Sequence, residues 1–243
     1  MDEASGLPAS VAAAWGRAEP QRKGPQRGLS VPRIVAAAVQ VASTDGLGAV
    51  SMARVASDLG ASTMSLYRYI GAKEELTELM VDHALGPPPA PEAGGWRIGL
   101  SAWAWGVLRR MRAHPWVLQI PITMAPITPN SIGWLEFGLA ALRDTGLTAA
   151  RKLDVVLLVS GFVRNDATLS INIAAAAGDS WAGKVMRNYG PLLAYLTDPA
   201  AHPNVRAAVA AMAFEDDADP DVSFSFGLER VLDGIQVLID QQA

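Results

Sequence analysis

Cysteine is absent from the 243-residue chain, which excludes disulfides, thiolate zinc sites, iron–sulfur clusters and cysteine nucleophiles. Histidine is scarce: His83, His114 and His202 are the whole supply, so an imidazole metal site would need nearly all of them. Charged residues make up only 18% against 50% hydrophobic, which argues against disorder over most of the length. Long apolar runs are missing too. The best, Val155 to Val163, is stopped by Arg164-Asn165-Asp166, so no membrane span and no membrane partner is expected. The opening Met-Asp-Glu lacks a signal-peptide pattern. No internal repeat and no alternating strand pattern occurs. The expectation is a cytoplasmic globular protein, all-α in class, with no metal and no cofactor.

Charge becomes informative when divided along the chain. Residues 17–73 carry eight basic residues against three acidic ones, a net +5, inside a chain whose total is −4. A cationic segment on an acidic body suggests a phosphate-facing module joined to something else, although a solvated basic tail has the same composition.

Helix signals follow one another. Residues 1–27, rich in Ala, Pro, Gly and charge, read as a flexible basic arm. Ser30 can cap a helix to about Ser43, Ser51 a short second one, and Ser62 a short third one after a turn at Gly60. A fourth starts near Lys73 and stops before Gly86-Pro87-Pro88-Pro89. Beyond a linker to Gly95, Trp96–Ala113 is helical and ends at His114-Pro115. Four prolines between 115 and 129 permit only short turns or loop. Asn130 can cap a helix to Asp144, and Thr148 a long one to about Ala177. Weaker helices fall near 181–195 and 204–214. An acidic loop spans 215–221, and the final helix runs from about Phe224 to Gln241.

A short helix, a glycine turn and a second short helix form a helix-turn-helix arrangement, a weak signal by itself. The longer string GLGAVSMARVASDLGASTMSLYRYIGAKEELTELM, Gly46 to Met80, is far more specific. It closely resembles the DNA-binding domain of the TetR family of transcriptional repressors. Ser62, Leu66, Tyr67, Tyr69 and Lys73 match that family's pattern in register, and Ile70 stands where phenylalanine is usual. The resemblance covers roughly residues 28–86 and implies a three-helix DNA-binding domain there. It implies that Tyr67, Tyr69 and Lys73 clamp phosphates while Thr63, Met64, Ser65 and Arg68 read bases. Ser51, Arg54 and Ser62 complete the candidate DNA-facing set, with Ser51 equally explained as a helix cap. Tyr67 alone could equally be an aromatic half buried beneath the recognition helix. Arg22, Lys23 and Arg27 could reach a minor groove or form a solvated tail.

Residues 95–243 read as a larger helical domain for effector binding and dimerisation. Phe226 to Ile235 is similar to the last helix of the tetracycline-repressor-type C-terminal domain. That resemblance implies a four-helix homodimer interface built from this helix and the long one before it. The candidate interface residues are Ser160, Gly161, Ala167, Leu228, Val231, Leu232, Ile235 and Leu238, with ordinary intrachain packing as the alternative. Six of the seven tryptophans also lie in this region. Trp103, Met111, Trp116, Met124, Trp134, Phe137, Phe162 and Trp181 could line an apolar pocket with Asn165 and Asp166 as polar groups, or fill a large core.

Together these point to a ligand-responsive regulator, a repressor released from a palindromic double-stranded DNA operator by a small apolar or aromatic effector. The alternative is an all-α small-molecule-binding dimer, or an enzyme, with no DNA-binding role. Against an enzyme, no Ser-His-Asp constellation, glycine-rich phosphate loop or metal-ligand cluster is present.

Overall fold

The computed structural model describes residues 7–17, 29–90, 94–176, 180–213 and 220–242. Among them there is no strand. By their contacts the residues divide into two units: 1–164 with 235–243, and 165–234.

In the first unit the three serine caps act where the sequence puts them. Ser30 Oγ accepts from the Arg33 N–H at the start of α2 (Val31–Asp45), Ser51 Oγ from the Arg54 N–H at the start of α3 (Met52–Asp58), and Ser62 Oγ from the Ser65 N–H at the start of α4 (Thr63–Tyr67). Gly60, between α3 and α4, has φ +64°, a conformation that any side chain would strain. Lys73–Leu85 forms α5, with Glu74 and Glu75 in its first turn, where negative charge suits the helix dipole.

These four helices close over one apolar core. Ile34, Val35, Ala38, Val55, Leu66, Ile70, Leu76 and Met80 are all buried in it. Leu66 is the only buried residue of α4, so it seats that five-residue helix. Such a side chain is worth about 2–5 kcal/mol against alanine.

Two departures from the sequence reading change this head. Residues 9–14, assigned above to the flexible arm, form a helix, α1 (Ala9–Ala14), packed on α2 and α5 with Ser10, Val11 and Ala12 buried. Its end is a paired turn at Gly16, where the Arg17 N–H reaches Ala12 O at 3.0 Å and the Gly16 N–H reaches Ala13 O at 2.9 Å. The remaining arm cations, Arg22, Lys23 and Arg27, lie outside the described residues. The second departure is where the expected short turn packs; it is a 3₁₀ turn, Pro115–Gln119, after α6 (Trp96–Ala113). Trp116, Val117 and Ile120 join the core of the head, and Trp116 Nε1 donates to Ser43 Oγ on α2 at 3.3 Å.

The helix α7 (Pro129–Ala141) crosses α6 closely. A methyl group on Gly106 would sit 2.7 Å from the Trp134 ring, so only glycine lets that indole lie on α6. The long helix α8 (Ala149–Ala176) has 28 residues, about 42 Å at 1.5 Å each. Its Arg164 guanidinium donates to Leu118 O at 3.1 Å and Ile120 O at 2.6 Å, which ties α8 to the 3₁₀ turn. Burial lowers the Arg164 pKa from the ordinary guanidinium value, so carbonyl acceptors are what keep that charge tolerable there.

The second unit contains the later part of α8, then α9 (Trp181–Arg187), α10 (Tyr189–Leu196), α11 (Pro203–Ala210) and most of α12 (Pro220–Asp240). The helix expected over 181–195 is split at Asn188, and α12 begins four residues before Phe224, with proline at its start. Most of the acidic loop expected at 215–221 falls outside the described residues. Arg206 ties α11 to α10 through Ala194 O. Ala167, Phe224, Leu228 and Leu232 are buried.

Candidate nucleic-acid interface

The head exposes one face of α4 and the turn that follows it. Leu66 and Ile70 point inward, which leaves Met64 75% and Tyr67 46% exposed, with Arg68 and Lys73 exposed beside them. Thr63, Ser65 and Tyr69 are half-buried. An unbranched apolar side chain left this open on a well-packed domain suits a thymine methyl. Arg68 and Lys73 form no ion pair among the described residues, so their charge is available to phosphates.

Three of the expected contacts already have local work. Ser51 is exposed but serves as the α3 cap. Ser62 caps α4 and its Oγ lies 2.8 Å from Ser65 Oγ. Arg54 is held at 2.8 Å by Asp45 and at 3.1 Å by Asp58. Its pKa is raised above the ordinary value by the hydrogen bond to Asp58 first and by Asp45 as well. Arg54 would have to leave both carboxylates to reach a phosphate.

The aromatic set divides. Trp103, Met111, Trp134 and Phe137 are buried on α6 and α7. Trp103 Nε1 donates to Trp134 O at 2.8 Å, and the Trp134 and Phe137 rings lie 6.2 Å apart. Trp116 is not with them: it belongs to the core of the head, because the turn that carries it folds under α2. Met124 is 47% exposed on the proline-rich loop, and Trp181, in the other unit, is 82% exposed on α9. Phe162 and Asp166 are half-buried and Asn165 is exposed on α8. A cleft of about 310 Å³ lies between the start of α6 and the end of α7, walled by Trp96, Gly99, Phe137 and Ala141 and rimmed by Arg143, Asp144 and Thr145; only Phe137 of the expected liners reaches it.

The expected dimer residues divide as well. Ala167, Leu228, Leu232 and Ile235 are buried within the chain, because the apolar stripe of α12 faces its own core. Ser160, Val231 and Leu238 are half-buried, and Gly161 is exposed. The apolar surface these helices leave in water is different: Leu157, 73% exposed, with Leu158, Leu169 and Ile173 on α8, and Phe226, 66% exposed, with Val222 and Val237 on α12. Gly161 and Gly234 have nothing within 4 Å of where a side chain would begin.

One feature that sequence reasoning missed joins the head to α7. Asp82, buried on α5, accepts from the Asn130 N–H at 2.8 Å, the Ser131 N–H at 3.1 Å and Asn130 Nδ2 at 3.0 Å. Asn130 was expected to cap this helix; instead Thr128 stands at the cap position without a side-chain bond to the backbone, and Asp82 supplies the acceptor from another helix. In return, Trp134 Nε1 of α7 donates to Gly86 O at the end of α5 at 2.9 Å. The one hint in the sequence is a lone aspartate three residues after Leu79, on the inward side of α5.

Among the described residues no helix is long and apolar enough to cross a membrane, and no cluster of His, Asp and Glu could hold a metal ion. Two family models match the chain: bacterial regulatory proteins of the tetR family over residues 34–80, and the tetracyclin repressor-like C-terminal domain over 88–239. A transcriptional repressor of Streptomyces coeruleorubidus, DrrR1, is 34% identical over 239 residues, covering 94% of this chain and 85% of its own. Among solved structures, apo ActR of Streptomyces coelicolor matches with a TM-score of 0.74 at 28% identity, over 88% of this chain and 98% of its own. ActR in complex with actinorhodin matches with a TM-score of 0.74 at 27% identity, over 87% and 99%.

Proposed function

We propose how the head and body work together in this chain, which belongs to the TetR family of bacterial regulatory proteins and is a ligand-responsive, DNA-binding transcriptional regulator. Residues 28–86 form the DNA-binding domain and 95–243 the effector-binding and dimerisation domain. Met64, Tyr67, Arg68 and Lys73 are the first contacts with a double-stranded operator, and Thr63, Ser65 and Tyr69 follow at closer approach. The observation that carries this reading is the open face of α4: an exposed methionine, a tyrosine and two cations with no ion pair among the described residues, over a filled core.

The effector is a small apolar or aromatic molecule. Support comes from the buried rings of Trp103, Trp134 and Phe137 and from ActR, which is seen with actinorhodin. Its binding shifts α5 through the joint at Asp82 and moves α4 off the DNA, which requires different affinities for two states of the protein. A homodimer paired through the outer faces of α8 and α12 supplies the two-fold symmetry of a palindromic site. The protein acts in the cytoplasm by binding, with no catalytic step.

The test is fluorescence anisotropy of the full chain on labelled duplexes, from its own upstream region and scrambled, over a salt series. Log affinity for the specific duplex should fall linearly with log salt, by about 0.9 per phosphate contacted. Arg68→Glu should abolish binding while fold and dimer persist. Wild-type binding that ignores both sequence and salt would refute the proposal.

A further inference from the structure

Glu75 does two things at once with one oxygen. Its Oε2 accepts from the Gly71 N–H at 3.1 Å and from Ser10 Oγ at 2.6 Å. The first bond holds the turn between α4 and α5, out of which Tyr69 and Lys73 emerge. The second comes from α1, a helix outside both matched family regions. Ser10 is 1% exposed, so its hydroxyl is committed to this partner, and α1 is anchored further by buried Val11 and Ala12 and by Trp15 Nε1, which donates to Ile127 O at 2.8 Å. The packing at Gly71 is tight: a methyl there would meet Glu75 Oε1 at 3.0 Å.

We propose that Glu75, held by Ser10, is a positioning residue for DNA binding that fixes the 71–73 turn so that Lys73 meets a phosphate. This rests on the DNA-contacting role given above to Lys73. Electrostatics alone predicts the opposite of what this role predicts. A carboxylate two residues from a phosphate-binding lysine repels DNA, so its removal should tighten binding. If it positions the turn, its removal loosens binding despite the relief of repulsion.

The experiment uses full-length protein and duplexes enriched by the wild type from a random library, with affinity measured across a salt series. Glu75→Ala should bind about tenfold more weakly, the scale of losing hydrogen bonds to a charged acceptor. Its salt slope should fall by about one phosphate. Glu75→Gln, whose amide oxygen can accept both bonds without the charge, should bind as wild type or tighter. Ser10→Ala should bind about threefold more weakly, and Ser10→Ala with Glu75→Ala no more weakly than Glu75→Ala alone. A purely structural role would lower the melting temperature and leave the salt slope unchanged. A folded Glu75→Ala that binds as tightly as wild type, or tighter, overturns the proposal. Should that variant not fold, Ser10→Ala with unchanged affinity and slope overturns it. Wild type that enriches no duplex overturns the DNA-binding reading instead, and this inference with it.

Discussion

Replacing Asp82 by alanine removes one side chain, orphans two backbone donors and takes one of two acceptors from a third. The Asn130 and Ser131 N–H groups open α7, and neither has an intrahelical acceptor; Asn130 Nδ2 keeps only Asp82 O, at 3.0 Å. A lost cap costs about 1 kcal/mol, and hydrogen bonds to a charged acceptor about 1.5–3 kcal/mol each, with shared loss rather than simple addition. Thr128, at the cap position, makes no side-chain bond to the α7 backbone; its hydroxyl donates to Ser131 Oγ at 2.9 Å. The sum comes to about 3 kcal/mol, and at about 2–4 °C per kcal/mol for a chain of this size the melting temperature falls by about 6–12 °C. Asp82→Asn should fall by roughly half as much. Its oxygen still accepts both backbone N–H groups, without the charge, but its amide nitrogen then faces the Asn130 amide, donor against donor. Differential scanning calorimetry of the full-length protein reads both. An Asp82→Ala melting temperature within about 2 °C of wild type would show that water replaces the carboxylate without loss, and would refute the joint between α5 and α7.

Gly106→Ala places a methyl 2.7 Å from the Trp134 ring and should destabilise by about 1–3 kcal/mol, read by urea unfolding; an unchanged midpoint would show that the indole is free to move. His114 predicts an acid sensitivity. Its pKa is lowered by burial first, then by His83 and Arg110, so the unfolded state takes up the proton more readily. The associated stability is present above about pH 6.5 and is lost as pH falls through the folded value. Wild type should therefore lose more melting temperature than His114→Gln between about pH 7.5 and pH 5.5, and equal losses would contradict the assignment. Gly161→Leu and Gly234→Leu meet open space within the chain, so they should not lower monomer stability, and helix propensity raises it by up to about 1 kcal/mol, while they weaken the dimer in sedimentation velocity. Dimers as tight as wild type would place the interface elsewhere.

The head was legible because its signals are local. Ser30, Ser51 and Ser62 each bond an N–H three residues on, and Gly60 needs its positive φ whatever surrounds it. The family resemblance at Tyr67, Tyr69 and Lys73 added roles that composition could not supply. What stayed hidden depends on partners distant in sequence. Residues 9–14 are too few to be helical alone, since nucleation outweighs six residues of propensity; α1 exists because Val11 and Ala12 are buried against α2 and α5 and because Ser10 finds Glu75 65 positions away. Asn130 looked like a cap by residue type, but a capping residue needs extended backbone, and Thr128 has it at φ −97° and ψ 155°. Its acceptor lies 48 residues back.

Helical periodicity located the apolar stripe of α12 and left its destination open between a partner and the chain's own core, and the reason is general. A stripe says that one face is dry; it does not say which molecule dries it. In this chain Leu228, Leu232 and Ile235 are dried by the chain itself. The residues that remain for a partner, Val222, Phe226 and Val237, are spaced along the other side of the helix. Phe226 is covered there by the Arg230 guanidinium, 5.4 Å from its ring, and Arg230 is in turn paired with Asp233 at 2.6 Å. A ring under a cation that is itself paired can stay in water before assembly and still offer an apolar surface afterwards. The same logic separates the tryptophans. Trp103, Trp116 and Trp134 each have a hydrogen-bond partner for the indole N–H and a filled setting, so their burial belongs to folding. Any effector that reaches Trp103 or Trp134 must displace packing already made, so its binding energy is partly spent on the α5–α7 joint. On the proposed reading, that cost would couple an apolar effector to the DNA-facing helix.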